Sequence, residues 1–240
     1  MGVRSPTEGF GVTSDYNSEM ETDRKWIVVR IDGKIASVST DYRMLARISY
    51  MLACHGSGKA GKKTGKETVY GEITARTVCF DEVWRLRQEA CWEDLMLFGT
   101  DFQKKVWRKL WELTHMEETD ASTTNTKTCT STTPTGQATR LVSYSDFAEL
   151  CQNRAGVRAV AHAIGLNPIS VIIPCHLVIP KEGIDKIREI HNRAQSTIFK
   201  GDDLCIGSIL SDTSIDFGEY ALGKSMKREL IIREITEKSV

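Results

Sequence analysis

The stretch that most constrains this chain is Ile169-Ser170-Val171-Ile172-Ile173-Pro174-Cys175-His176-Leu177-Val178-Ile179. Ile169 to Ile173 is an apolar run of β type, and Pro174 stiffens its exit because its ring fixes φ and removes a backbone donor. Cysteine and histidine follow directly. A thiol is a strong nucleophile only as thiolate, and a neighbouring imidazole favours that form. Adjacent side chains on a strand point to opposite faces, so His176 serves Cys175 only where the chain turns or a water bridges them. The same pair also fits a buried structural cysteine beside a surface histidine, since free cysteine is among the most buried residue types.

A chain of 240 residues has room for one large or two modest domains. Its 32 basic and 32 acidic residues cancel, so a nucleic-acid partner would have to meet a local face and not the molecule's overall charge. Seven cysteines, an odd number, and an N-terminus without a signal-peptide apolar segment imply a reducing intracellular setting. No apolar run approaches membrane-spanning length.

Residues 1–22 are rich in Gly, Ser, Thr and acidic residues and read as a disordered tail. Trp26–Ile31, Asp32-Gly33 and Lys34–Val38 form a hairpin pattern, the Asp-Gly pair supplying the positive φ values of a type I′ turn. Asp41 then caps a helical pattern through Met44, Leu45, Ile48 and Leu52. The Gly/Lys loop 56–66, with Lys59, Lys62, Lys63 and Lys66, fits an import signal, a phosphate-touching loop or a solvated linker. A strand around Val69–Phe80 and a helix around Val83–Leu97 complete a small α/β unit over 23–98. Cys54, His55, Cys79 and Cys91 lack paired Cys-x-x-Cys spacing, so no metal site is expected.

Gly99–Leu113 has helical periodicity, with Phe102, Val106, Leu110 and Leu113 on one stripe and Lys104, Lys105, Arg108 and Lys109 solvated. Residues 114–139, dominated by Ser and Thr, read as a disordered insertion that leaves Cys129 exposed. Ser145 caps a short helix carrying Phe147, Ala148 and Leu150; Asn153–Ala155 turn, and Gly156–Ile164 form a second helix. That is a helix-turn-helix pattern, which also arises from ordinary core packing.

Five segments in register carry a resemblance: Asp101–Leu110, Leu141–Ala148, Arg158–Val160 with Asn167-Pro168, Pro174-Cys175-His176, and Phe217–Gly223 followed by Lys227 and Glu234. Over roughly residues 99–240 the chain resembles the O6-alkylguanine-DNA alkyltransferase (methylated-DNA–protein-cysteine methyltransferase) family. The resemblance implies an α/β (α+β) chain: the small N-terminal α/β domain, then a helical, winged-helix-like alkyltransferase domain over 99–240, with insertions at 114–139 and 180–215. It implies repair of duplex DNA without a cofactor or metal, by a nuclear protein acting as a monomer.

The resemblance also assigns roles. The second helix enters the minor groove, where the small residues Gly156, Ala159, Ala161 and Ala163, with the bulkier Val157, allow close approach. Arg158 fills the gap left by an extruded base, because a lesion at guanine O6 is otherwise out of reach inside the stack. Tyr144 rotates the backbone and bonds guanine N3. Asn167 braces the turn to the active-site segment; on spacing alone it also suits a helix C-cap before Pro168. Cys175 accepts the alkyl group, His176 takes the thiol proton through water, and Glu234 orients the imidazolium. Val178, Gly218, Tyr220, Ala221 and Lys227 line the lesion pocket. A thioether is a poor leaving group, so one turnover per molecule is expected.

Two departures stand out. The family usually has arginine after Cys-His, where this chain has Leu177, so a structural ion pair is lost or its partner has changed. Residues 180–215 replace a short loop, and Ile184, Ile187, Ile190 and Ala194 give them helical spacing beside the active site. Three other readings remain: a lesion sensor of the same superfamily, a helix-turn-helix regulator with a structural or redox-sensing Cys175, and a Cys-His hydrolase.

Overall fold

The computed structural model describes residues 24–41, 48, 71–115, 129–131, 139–196 and 209–236. The tail 1–22, the Gly/Lys loop 56–66, Cys54 and His55 lie outside the described residues. So does the helical pattern after Asp41, apart from Ile48, which is helical and buried.

Strands β1 (Trp26–Ile31) and β2 (Lys34–Ser39) pair antiparallel across the Asp32-Gly33 turn, where both φ values are positive, 51° and 79°. Strand β3 (Ile73–Val78) pairs with the other side of β1, giving the order β2-β1-β3. Asp32 also accepts hydrogen bonds from the Gly71 and Glu72 amides, so the turn residue holds the entry to β3. The central strand is covered on both faces. Trp26 and Val28 join the main core with Ile35 and Val38, while Ile27, Val29 and Ile31 pack with Ala36, Ile48 and Phe98. That double burial explains why β1 is apolar at every position but Arg30.

Helix α1 spans Phe80–Glu89 and buries Phe80, Val83, Trp84 and Arg87, a stripe at i, i+3, i+4 and i+7. It does not reach Leu97. Ala90 turns to extended backbone (ψ 139°), and Trp92–Asp94 form a separate 3₁₀ turn closed by Asp94 accepting from the Cys91 amide at 2.8 Å. The strand before it is likewise shorter than expected, ending at Val78.

Helix α2 (Asp101–His115) buries Val106, Trp107, Leu110, Trp111, Leu113 and Thr114. Phe102 is not on that stripe: it is exposed on the first turn, and Trp107 and Trp111 occupy the core instead. Trp107 donates its indole N–H to the Ala163 carbonyl at 2.8 Å, tying α2 to the second helix of the helix-turn-helix. Lys104, Lys105 and Arg108 are exposed, as expected, with Arg108 4.7 Å from the Trp92 ring centre; Lys109 is half-buried and meets Glu112 at 2.6 Å.

The stretch 114–139 is not one uninterrupted disordered insertion. Thr114 and His115 finish α2, Cys129–Ser131 form β4, and Thr139 begins β5 (Thr139–Ser143), its antiparallel partner. Strand β6 (Val178–Ile179) joins β5 in parallel. Helix α3 (Tyr144–Leu150) is capped by Ser143, whose hydroxyl accepts from the Asp146 amide at 3.1 Å; Ser145 lies inside the helix. A turn through Gln152 (φ 57°) and a 3₁₀ turn, Arg154–Gly156, lead into α4 (Val157–Gly165).

Beyond the Cys-His pair, α5 (Lys181–Ser196) forms within the 180–215 segment, with Ile184 and Ile187 buried. Helix α6 (Lys224–Thr236) closes the described chain and buries Met226, Lys227, Leu230, Ile231, Glu234 and Ile235. One set of contacting buried residues runs from Trp26 to Ile235, so packing is continuous across the sequence boundary at 98–99. The β2 edge is docked on the active-site segment: the Val38 amide donates to the Pro168 carbonyl, and the Ser170 amide to the Val38 carbonyl, at 3.0 and 3.1 Å. No described helix is long and apolar enough to cross a membrane.

Candidate active site

The apolar run Ile169–Ile173 is not a strand. Its ends touch as isolated bridges, Val38 with Ile169 and Ser170 with Ile173, and between them the chain turns at Val171, whose φ is 71°. A positive φ at a β-branched residue is costly and persists only where the surroundings enforce it. Here Arg87 donates to the carbonyls of Val171 and Ile172, at 3.1 and 2.8 Å. The chain then makes a 3₁₀ turn at Cys175–Leu177. Cys175 and His176 therefore sit on a turn, which frees them from strand alternation.

Asn167 braces this turn with every atom it has. Its Nδ2 donates to the Ile173 carbonyl at 2.9 Å and to the Cys175 sulfur at 3.2 Å, and its Oδ1 accepts from the Ile169 amide at 3.1 Å. The Cys175 thiol contacts the Tyr220 hydroxyl at 3.7 Å. Burial pushes the thiol up from its ordinary pKa, while the Asn167 and Tyr220 bonds and the Lys227 charge pull it back. Burial also raises Tyr220 well above its usual value, and the neighbouring sulfur adds to that. Tyr144 is raised for the same two reasons.

His176 and Glu234 are both buried, with Nε2 to Oε1 at 3.4 Å. The second partner of Glu234 is the guanidinium of Arg87. Burial pushes the Glu234 carboxyl up, but Arg87 and His176 outweigh it and bring it to about 2. Burial lowers His176, so the pair rests as neutral imidazole and carboxylate. Lys227 is fully buried and donates to the Val178 carbonyl at 2.8 Å; burial lowers it to about 8.

A cavity of about 410 Å³ opens over the sulfur, within the usual range for ligand sites. Tyr144, Ala161, Asn167, Cys175, Tyr220, Ala221 and Lys227 line it. Two predicted pocket residues do not: Val178 is buried behind Lys227, and Gly218 acts on the backbone, with φ 78° and Pro180 where a Cβ would be. Ile164, Gly165, Ser170 and Glu219 also line it and were not expected from sequence.

On α4, Arg158 and Ala159 are exposed, while Gly156, Val157 and Ala161 are half-buried. Ala163 faces the core and has its carbonyl occupied by Trp107. Arg154 and His162 are exposed beside Arg158 and extend the polar part of this face. Leu177 is fully buried. A cation meets Glu234 from α1: it is Arg87, a residue sequence reasoning missed, whose one signal was an arginine on the apolar stripe of a helix. Among the described residues no group of three or more His, Cys, Asp or Glu is placed to hold a metal ion.

The profile of the family described as 6-O-methylguanine DNA methyltransferase, DNA binding domain, matches residues 129–198. A probable methylated-DNA–protein-cysteine methyltransferase of Acanthamoeba polyphaga mimivirus is 41% identical over 88 residues, covering 37% of this chain and 44% of that protein. A methylated-DNA–protein-cysteine methyltransferase of Kluyveromyces lactis is 36% identical over 87 residues, covering 36% and 34%. The chain thus spans less than half the length of these curated relatives. Among solved structures, O6-methylguanine-DNA methyltransferase from Pyrococcus kodakaraensis strain KOD1 aligns over 88% of this chain and 91% of that one, with a TM-score of 0.42 and 16% identity. Tyr144, Arg158, Asn167, Cys175 and His176 all lie within the residues that match this DNA-binding-domain profile.

Proposed function

We propose that this protein repairs O6-alkylguanine in duplex DNA by moving the alkyl group onto Cys175, once per molecule. The observation that carries this reading is the Cys175 sulfur at the cavity, bonded by Asn167 and Tyr220 and followed in one turn by a buried His176–Glu234 pair. The neutral imidazole takes the thiol proton through a bridging water, and Glu234 stabilises the imidazolium that results. The sulfur attacks the alkyl carbon as the carbon–O6 bond breaks. The electron pair passes to the guanine, whose neutral form is completed by a proton; Tyr144 and Lys227 at the cavity wall are the donors in reach of a bound base. The product, a thioether at Cys175, has no leaving group for a second cycle.

The partner in this reading is double-stranded DNA met through its minor groove by α4, with Ala159 permitting close approach and Arg158 entering the stack. The protein acts as a monomer in the nucleus. Intact mass after mixing the protein with a duplex carrying one O6-methylguanine tests the chemistry. The expected result is a single methyl gain, mapped to Cys175 and absent from Cys175→Ala. Tighter binding to the lesion duplex without mass gain indicates a sensor instead. Indifference to the lesion refutes both.

A further inference from the structure

Resting on that reading of the site, we propose that Arg87 is its positioning residue: from α1 it grips Glu234 and the 171–172 turn together, and so decides how much of the carboxylate is left to His176. Arg87 is 5% exposed on an otherwise apolar stripe. Its Nε meets Glu234 Oε1 while one terminal nitrogen donates to the carbonyls of Val171 and Ile172. Only a planar guanidinium, with five donors in a fixed fork, spans a carboxylate and two carbonyls from one side chain. The same Oε1 faces His176 Nε2 at 3.4 Å. A carboxylate divided between a guanidinium and an imidazole holds the imidazolium less strongly than one left to histidine alone.

The charges around His176 agree with this division. Glu234 and Lys227 face it from α6, Arg87 from α1, and Cys175 adjoins it with Tyr220 against the sulfur. Burial first, then Arg87 and Lys227, hold the imidazole low against the pull of Glu234. The effect is a histidine that stays neutral and able to take a proton. The grip also fixes the left-handed Val171 that sets where Cys175 stands.

The test titrates the His176 ring nitrogens by NMR in the full chain, and follows Cys175 alkylation by iodoacetamide against pH by mass. Arg87→Met removes the guanidinium from the Glu234 oxygen that faces His176. The imidazole is then expected to titrate at least about one pH unit higher, a tenfold change in its protonation ratio, and the acid limb of thiol reactivity moves with it. Arg87→Lys, whose single ammonium cannot reach all three acceptors, shifts the same way by less. Arg87→Met with Glu234→Gln returns His176 to a low value. An Arg87→Met that melts earlier but keeps the wild-type titration and acid limb overturns the proposal. Should that variant not fold, Arg87→Lys decides, and coincidence with wild type is the overturning result. Methyl transfer from the lesion duplex is measured on the same samples. The expected shifts without methyl gain in wild type would refute the repair reading and leave the role of Arg87 standing.

Discussion

Asn167 separates a brace from a participant. Asn167→Ala removes the acceptor of the Ile169 amide and the donor to the Ile173 carbonyl, both buried. The Ile173 carbonyl keeps the Cys175 amide at 2.8 Å, but the Ile169 amide is left without its partner, at a cost of about 1–3 kcal/mol. In a chain of this size that lowers the melting temperature by roughly 2–12 °C. The third bond, from Nδ2 to the sulfur at 3.2 Å, has a different consequence. A hydrogen bond to a charged group contributes about 1.5–3 kcal/mol, so its loss raises the thiol further and removes thiolate by roughly 10- to 100-fold at neutral pH. Asn167→Asp sharpens the comparison. It keeps the acceptor for Ile169 but turns an oxygen, with its charge, toward the Ile173 carbonyl and the sulfur. Thiol reactivity in the aspartate variant is therefore expected to fall below that of the alanine variant. The assay is alkylation of Cys175 by iodoacetamide from pH 6 to 10, alongside thermal melting. Variants that melt early yet keep the wild-type reactivity profile would refute a direct role at the sulfur.

Lys227, fully buried and lowered from 10.5 to about 8, binds its proton less well folded than unfolded. The unfolded chain then holds more protons between those values, so wild type gains stability as pH rises from about 8 to 10.5, by up to about 3 kcal/mol relative to Lys227→Met; denaturant titrations at several pH values check it. Trp107→Phe removes the buried indole bond to the Ala163 carbonyl, which keeps the Leu166 amide, and is expected to cost about 0.5–1.5 kcal/mol, read by the shift of the unfolding midpoint. Gly218→Ala forces a side chain onto a φ of 78° and against Pro180, costing about 1–3 kcal/mol and displacing the Tyr220 loop; slower methyl transfer in single-turnover kinetics is the expected sign. Arg158→Ala, on an exposed face away from the core, is expected to weaken duplex binding in fluorescence titrations while leaving melting temperature and iodoacetamide reactivity unchanged.

Local chemistry accounts for what was readable in the chain. Asp32-Gly33 dictates its turn from two residues, and the observed φ values follow. The stripe of α2 is set by helical spacing, so Val106, Leu110 and Leu113 were found; Phe102 fell outside because the helix begins at Asp101 and its first turn overhangs the core. The cap of α3 was misplaced by two residues. Ser143 and Ser145 are chemically equivalent, and only the end of β5, which leaves Ser143 extended, chooses between them. The strand inside the 114–139 segment was invisible because β4 is three residues long and exists through its pairing with β5.

The central misreading has a different origin. Ile169–Ile173 has the composition of a buried strand, and it is buried, yet its backbone turns at Val171. Burial and strand geometry usually coincide because a sheet satisfies backbone carbonyls that would otherwise be stranded in the core. Here a side chain does so: Arg87, far away in sequence, supplies the donors to Val171 and Ile172. The guanidinium could not be buried unpaired, and Glu234, the partner that neutralises it, is also the carboxylate that faces His176. The Cys175 turn and the ionised Glu234 thus depend on the same side chain. No local pattern reveals that link, because its three participants share neither a helix face nor a strand register; only the odd arginine on an apolar stripe marks one end of it.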